Sequence, residues 1–143
     1  MKILFICKGN YFRSQIAEAL YNHRTNSNDA FSAGTYVGAP DEPEGQVLSH
    51  LLSPYLFKLM ESRGMDIRNN RTKKLTRGMF EQAEIIVSMV EDPYIPDFLK
   101  NNKKVIWWDI KNPKHATPEF ILETYNKLDA LIRGLIATHH VEI

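Results

Sequence analysis

Cys7 is the only cysteine of this sequence of 143 residues, and an arginine follows it six positions later in Cys7-Lys8-Gly9-Asn10-Tyr11-Phe12-Arg13-Ser14. A thiolate is a nucleophile, and the planar fork of an arginine grips two oxygens of a tetrahedral oxyanion. The octapeptide thus joins an attacking atom to a group that can hold what it attacks. Before it runs Ile3-Leu4-Phe5-Ile6, apolar and β-prone; after it Gln15-Ile16-Ala17-Glu18-Ala19-Leu20-Tyr21 reads as an amphipathic helix. A strand feeding a short polar loop and then a helix points loop N–H groups at the helix N-terminus, which makes an anion site. A cysteine at its mouth lies in positive potential, where the thiolate is favoured. The alternative is a buried cysteine acting as a small hydrophobe. The glycine, asparagine and charge flanking Cys7 favour the nucleophile.

The elements that must position this loop alternate along the chain. Residues 2–6 are expected as the first strand, 14–25 as the first helix, and 30–33 as a second strand ending at Gly34. Asn26-Ser27-Asn28-Asp29 is a turn cluster. A proline- and acid-rich loop follows, and then a long helical region to Arg63, with a break at Ser53-Pro54 and a stop at Gly64. Residues 84–89 and Val105-Ile106-Trp107-Trp108 read as strands three and four. Thr117-Pro118-Glu119 reads as the start of the last helix, with Thr117 as N-cap and Pro118 at the first helical position. Strands alternating with helices predict an α/β fold: a three-layer sandwich with a four-stranded parallel, doubly wound sheet, in one domain spanning 1–143. In such folds ligands bind beyond the carboxyl ends of the strands, where Cys7 falls.

Composition narrows the function classes. A formal charge of +1 leaves no electrostatic footprint for nucleic acid or an anionic membrane. The basic run Arg68, Arg71, Lys73, Lys74 and Arg77 reads as a solvated face or a positive rim on the substrate side. No apolar run approaches a membrane span, and the N-terminal apolar stretch is too short for a signal-peptide core. A single cysteine cannot form an internal disulfide, so a cytoplasmic location is expected. His139-His140 has no ligand partner at useful spacing; neither a metal nor a cofactor is expected.

The octapeptide resembles the nucleophile loop C-x-G-N-x-C-R-S of the low-molecular-weight protein tyrosine phosphatases. Ser32-Ala33-Gly34-Thr35, Gly64-Met65-Asp66-Ile67 and Ile85-Ile86-Val87-Ser88-Met89 fall in that family's order, so the resemblance spans almost the whole chain. It implies a phosphomonoester hydrolase in which Cys7 forms a phosphocysteine that water later hydrolyses. Arg13 and the amides of Lys8, Gly9, Asn10, Tyr11 and Phe12 would bind the phosphoryl oxygens. Ser14 would donate a hydrogen bond to the Cys7 sulfur; Asn10, tolerant of a left-handed backbone angle, would hold the loop with support from Ser32. The implied partner is a phosphorylated protein or a small aryl phosphate, with inorganic phosphate as product.

The departures from the family pattern matter as much. Where the family has an Asp-Pro pair supplying the general acid, this chain has Asn112-Pro113. An amide cannot protonate a leaving phenolate, and general acid catalysis contributes roughly 10²–10⁴-fold. Asp109, His115 and Asp92 are the candidate substitutes, although Asp92-Pro93 also reads as the start of a helix. Phe12 replaces the family's second loop cysteine, which removes its disulfide partner; thioredoxin-coupled arsenate reduction, which uses two further cysteines, is disfavoured. Asn70 stands where a supporting histidine is frequent, and Lys114 and His115 replace the aromatics of the phenol slot, leaving Tyr11, Phe12 and Tyr36 as rim candidates. An active phosphatase and a catalytically weak phospho-ligand-binding protein both remain compatible with the residues.

Overall fold

The computed structural model describes residues 1–112 and 116–139. Strands β1 (Ile3–Cys7), β2 (Ala30–Gly34), β3 (Ile85–Ser88) and β4 (Val105–Trp107) form one parallel sheet in the order β2-β1-β3-β4. Every residue of β1 is buried, which is why it reads as an unbroken apolar run: a central parallel strand is covered on both faces. Its side chains nevertheless divide by parity. Ile3, Phe5 and Cys7 face a core built with α1 (Arg13–Thr25), α2 (Pro54–Ser62) and α4 (Pro118–Thr138), whereas Leu4 and Ile6 face a smaller core that includes Ile86, Val90 and Leu99. The short helix α3 (Arg77–Gln82) lies on that second side through Met79 and Phe80. These are the three expected layers.

The register sets the site. Cys7 pairs with Gly34 on β2, and Ile6 with Ser88 on β3, so three strands end at one level. With β2 on one side of β1 and β3 on the other, the chain reverses direction in the sheet at β1/β3. That switch point leaves a crevice beyond the strand ends. On the helical side, Arg24 forks onto Asp129 at 2.7 and 2.9 Å and ties α1 to α4.

Several boundaries follow from named caps. Thr117 accepts the Phe120 N–H at 3.2 Å and starts α4 as expected. Gly64, at φ 87°, takes the left-handed turn that ends α2. Two expectations need correction. The region before Arg63 breaks at Ser53-Pro54 as expected, where Ser53 caps α2 by accepting the Tyr55 N–H, but upstream of the break there is only a short 3-10 turn over Leu48–His50 in place of helix. Asp92-Pro93, a cis peptide, belongs to a turn and starts no helix. Of the tryptophan pair, Trp107 is 46% exposed while the Trp108 ring lies 5.9 Å from that of Phe5. Among the described residues no helix is long and apolar enough to cross a membrane.

Ile86, on β3 beside Leu4 of β1, is fully buried in the second core. Ile86→Ala is expected to cost about 2–5 kcal/mol in urea unfolding, against less than about 0.5 kcal/mol for Leu51→Ala on the surface; similar losses at the two positions would contradict the assigned packing.

Candidate active site

Cys7 closes β1, and after five intervening residues the chain enters α1 at Arg13. The turn between them is held by Asn10, whose backbone takes φ 52°, a left-handed conformation that asparagine accepts more readily than most residues. Its side chain then bonds in every direction. Nδ2 donates to Ser14 Oγ (2.8 Å) and Ser32 Oγ (3.0 Å), while Oδ1 accepts the Lys73 N–H (2.9 Å) and Gln15 Nε2 (3.3 Å). The Ser32 hydroxyl donates a hydrogen bond to Glu18 Oε1 at 2.8 Å, and Glu18 pairs with Lys73. Gln15 is fixed in turn by Asn70 and by the Arg71 carbonyl. The loop is thus locked to α1, to β2 and to the segment before α3.

Two hydrogen bonds converge on the Cys7 sulfur: the Asn10 N–H at 3.2 Å and the Ser14 hydroxyl at 3.0 Å. Asn10 Nδ2 is itself a donor to Ser14 Oγ, so a thiolate at Cys7 would be the acceptor for the Ser14 hydroxyl hydrogen. The amides of Lys8, Gly9, Tyr11 and Phe12 have no acceptor among the described residues. A run of unpaired N–H groups ending in a helix is the nest expected of an anion site. Close approach requires glycine twice: a Cβ on Gly9 would collide with the Tyr11 ring, and one on Gly34 would stand 2.6 Å from the Lys8 carbonyl oxygen.

Arg13 is almost completely buried. Its Nη1 donates to Met89 O (2.6 Å), Ile110 O (3.0 Å) and Glu91 Oε2 (2.9 Å). Nη2 makes only a long contact of 3.4 Å to Glu91 Oε1, and Nε has no acceptor among the described residues. The anchored edge belongs to the ends of β3 and β4; the Nε/Nη2 edge is available to a ligand.

The rim is built around Lys8. Its ammonium lies 4.8 and 4.5 Å from the centres of the Tyr36 and Tyr94 rings and 3.2 Å from Glu42. Burial pulls its pKa down, but the bonded Glu42 carboxylate more than offsets this and leaves the ammonium above its ordinary value. Burial, with Glu42 and Cys7 nearby, raises the Tyr11 phenol. Tyr11 and Tyr36 are half-buried at this rim. Phe12 is not part of it: its ring is buried and stacks at 6.4 Å on Phe120.

The candidate acids are scattered. Asp109 is highly exposed, 3.3 Å from Lys111, with no hydrogen bond to the loop. Asp92 is exposed in its turn. His115 lies outside the described residues. Asn112 lines a cleft of about 600 Å³ with Glu91, Trp107, Trp108 and Asp109. Glu91, which touches Arg13 directly, was not anticipated; its position just past β3, on the ligand-binding end of the sheet, was the available signal. Gln15, Glu18 and Lys73 were likewise missed, since nothing in their spacing marks them. No three His, Cys, Asp or Glu side chains among the described residues gather to hold a metal. His140 lies outside them.

The family profile "Low molecular weight phosphotyrosine protein phosphatase" matches residues 2–142. An arsenate reductase of Oceanobacillus iheyensis is 26% identical over 120 residues, covering 80% of this chain and 75% of that protein. A probable low molecular weight protein-tyrosine-phosphatase, EpsP, of Ralstonia solanacearum is 29% identical over 87 residues, 61% of this chain and 54% of its own. The crystal structure of a low molecular weight protein tyrosine phosphatase from T. tengcongensis superposes with a TM-score of 0.76 at 24% identity, over 96% of this chain and 99% of that one. At that identity the likeness is one of fold.

Asn10→Gly keeps the left-handed backbone but removes four side-chain hydrogen bonds. It is expected to lower unfolding stability by about 1–3 kcal/mol, with Asn10→Ala lower by about a further 1 kcal/mol from backbone strain. Equal stability of Asn10→Gly and the parent in urea would show that the amide does not hold the loop.

Proposed function

Because the chain belongs to the low molecular weight phosphotyrosine protein phosphatase family, we propose that it hydrolyses phosphate monoesters through a phosphocysteine on Cys7. The observation that carries this reading is a cysteine sulfur with two hydrogen-bond donors at the mouth of a loop of unpaired amides. Phosphoryl oxygens bind the unpaired amides of Lys8, Gly9, Tyr11 and Phe12 and the Nε/Nη2 edge of Arg13, which matches the spread of charge in a loose phosphoryl-transfer transition state. The Cys7 thiolate attacks phosphorus and the S–P bond forms as the ester P–O bond breaks. Water then cleaves S–P, releasing inorganic phosphate and restoring the thiolate, which Ser14 stabilises as a leaving group. The substrate class is a phosphorylated protein or a small aryl phosphate, and neither a cofactor nor a metal is needed. The reading treats residues 1–143 as one catalytic domain working in the cytoplasm.

Two relatives are named arsenate reductase. A cysteine-relay reduction of that kind needs thiols beyond the first, and this chain has a single cysteine. Phosphate ester hydrolysis needs only one.

Asn112 limits the chemistry. With an amide in the acid position, the leaving oxygen must depart without a proton from that residue, so activated aryl phosphates are preferred over phosphotyrosine. The same residue supports a second reading, in which the cradle binds a phospho-ligand and turns it over poorly.

The discriminating assay is steady-state hydrolysis of para-nitrophenyl phosphate and of a phosphotyrosine peptide, with Cys7→Ser as control. Nitrophenyl turnover abolished in the control, with much slower peptide turnover, is the expected result. Binding of phosphate without turnover of either substrate would select the binding protein. Asn112→Asp is expected to raise phosphotyrosine turnover by about 10-fold or more and nitrophenyl turnover far less; equal gains would show that the acid acts from elsewhere.

A further inference from the structure

The partners of Arg13 are of two kinds. Met89 O and Ile110 O are backbone carbonyls, and Met89 is itself fixed by donating its N–H to Ile6 O at 2.8 Å. They hold the guanidinium whatever side chains surround it. Glu91 adds what a carbonyl cannot: a full negative charge 2.9 Å from Nη1. Its side chain is 39% exposed and stands in the wall of the cleft beside Trp107 and Trp108, whereas that of Arg13 is 2% exposed.

We propose that Glu91 is a resident counter-ion of Arg13 that lowers the affinity of the cradle for dianionic phosphoryl groups. This rests on the reading of the cradle as a phosphoryl site. In the empty protein, a buried guanidinium without a partner is costly, and Glu91 neutralises it. When a dianion enters, it, the Cys7 thiolate and Glu91 all draw on one guanidinium, because Lys8, the cation of the rim, is paired with Glu42. Charges a few ångströms apart beside a buried site repel appreciably. The exposure of Glu91 gives it room to turn toward the cleft, so binding is weakened and not prevented. Glu91 acts through Arg13 and is therefore a positioning residue, one that sets charge and not only geometry.

The test is titration of Cys7→Ser protein with inorganic phosphate at pH 7.5, with and without Glu91→Gln, by calorimetry and by thermal melting. Glutamine keeps an acceptor for Nη1 and removes the charge. Phosphate is expected to bind about tenfold more tightly to the glutamine variant, whose ligand-free Tm falls while its phosphate-induced rise in Tm grows. Glu91→Asp, which draws the charge back by one methylene, should fall between the two and serves if the glutamine variant does not fold. A purely structural role for Glu91 predicts the opposite sign. Unchanged or weaker phosphate binding in cooperatively melting variants overturns the inference alone. No phosphate binding to the parent Cys7→Ser protein overturns both the inference and the phosphoryl reading beneath it.

Discussion

Between the end of a buried strand and the first turn of a helix, residues 8–12 have to turn their amides toward one point while the backbone reverses. Such a loop has no ladder to stabilise it, and unpaired amides are costly where water is excluded. The side chain of Asn10 supplies the missing order. It replaces backbone pairing with four hydrogen bonds to α1, β2 and the Lys73 amide, and its left-handed φ of 52° makes the reversal. The Ser14 oxygen, 3.0 Å from the Cys7 sulfur, is also held by Asn10 Nδ2 at 2.8 Å. The setting of the Cys7 sulfur thus depends on the asparagine.

A second constraint is electrostatic. The site places a thiol and two cationic side chains together, and each cation has a carboxylate of its own: Arg13 with Glu91, Lys8 with Glu42. Pairing of this sort makes buried charge tolerable but reduces the attraction available to an incoming anion. The unpaired loop amides are not cancelled in this way. They carry fixed partial charge with no counter-ion among the described residues, which in the proposed reaction would give them a larger share of oxyanion binding than the formal charges suggest.

The parts of this arrangement that depend on local sequence could be read in advance. Ile3-Leu4-Phe5-Ile6 as a central strand, Cys7 at its carboxyl end, Asn10 at the turn and Thr117-Pro118 at the start of α4 each carry a signal within a few residues. So did the pairing of Asn10 with Ser32, through the family resemblance. What was not legible depends on distance in sequence. Glu91 meets Arg13 across 78 positions and Lys73 meets Asn10 across 63, and no periodicity announces either contact. Apolar pattern misled in one place: the stretch before Ser53 has helical spacing, yet Leu48 and Ser49 give their N–H groups to the carbonyls of Asn70 and Arg68. A partner far along the chain overrode the local preference. Phe12, taken as a rim candidate, was drawn inward by Phe120 for the same reason.

The central claim is that Cys7 becomes covalently phosphorylated during turnover. Rapid acid quench of the protein mixed with para-nitrophenyl phosphate, followed by intact-mass and peptide-level mass spectrometry, tests it directly. The account predicts one phosphoryl group per chain on the peptide containing Cys7, absent in Cys7→Ser and lost on standing as phosphate is released. Turnover with no phosphorylated Cys7 peptide, or a phosphoryl group on another residue, would contradict it.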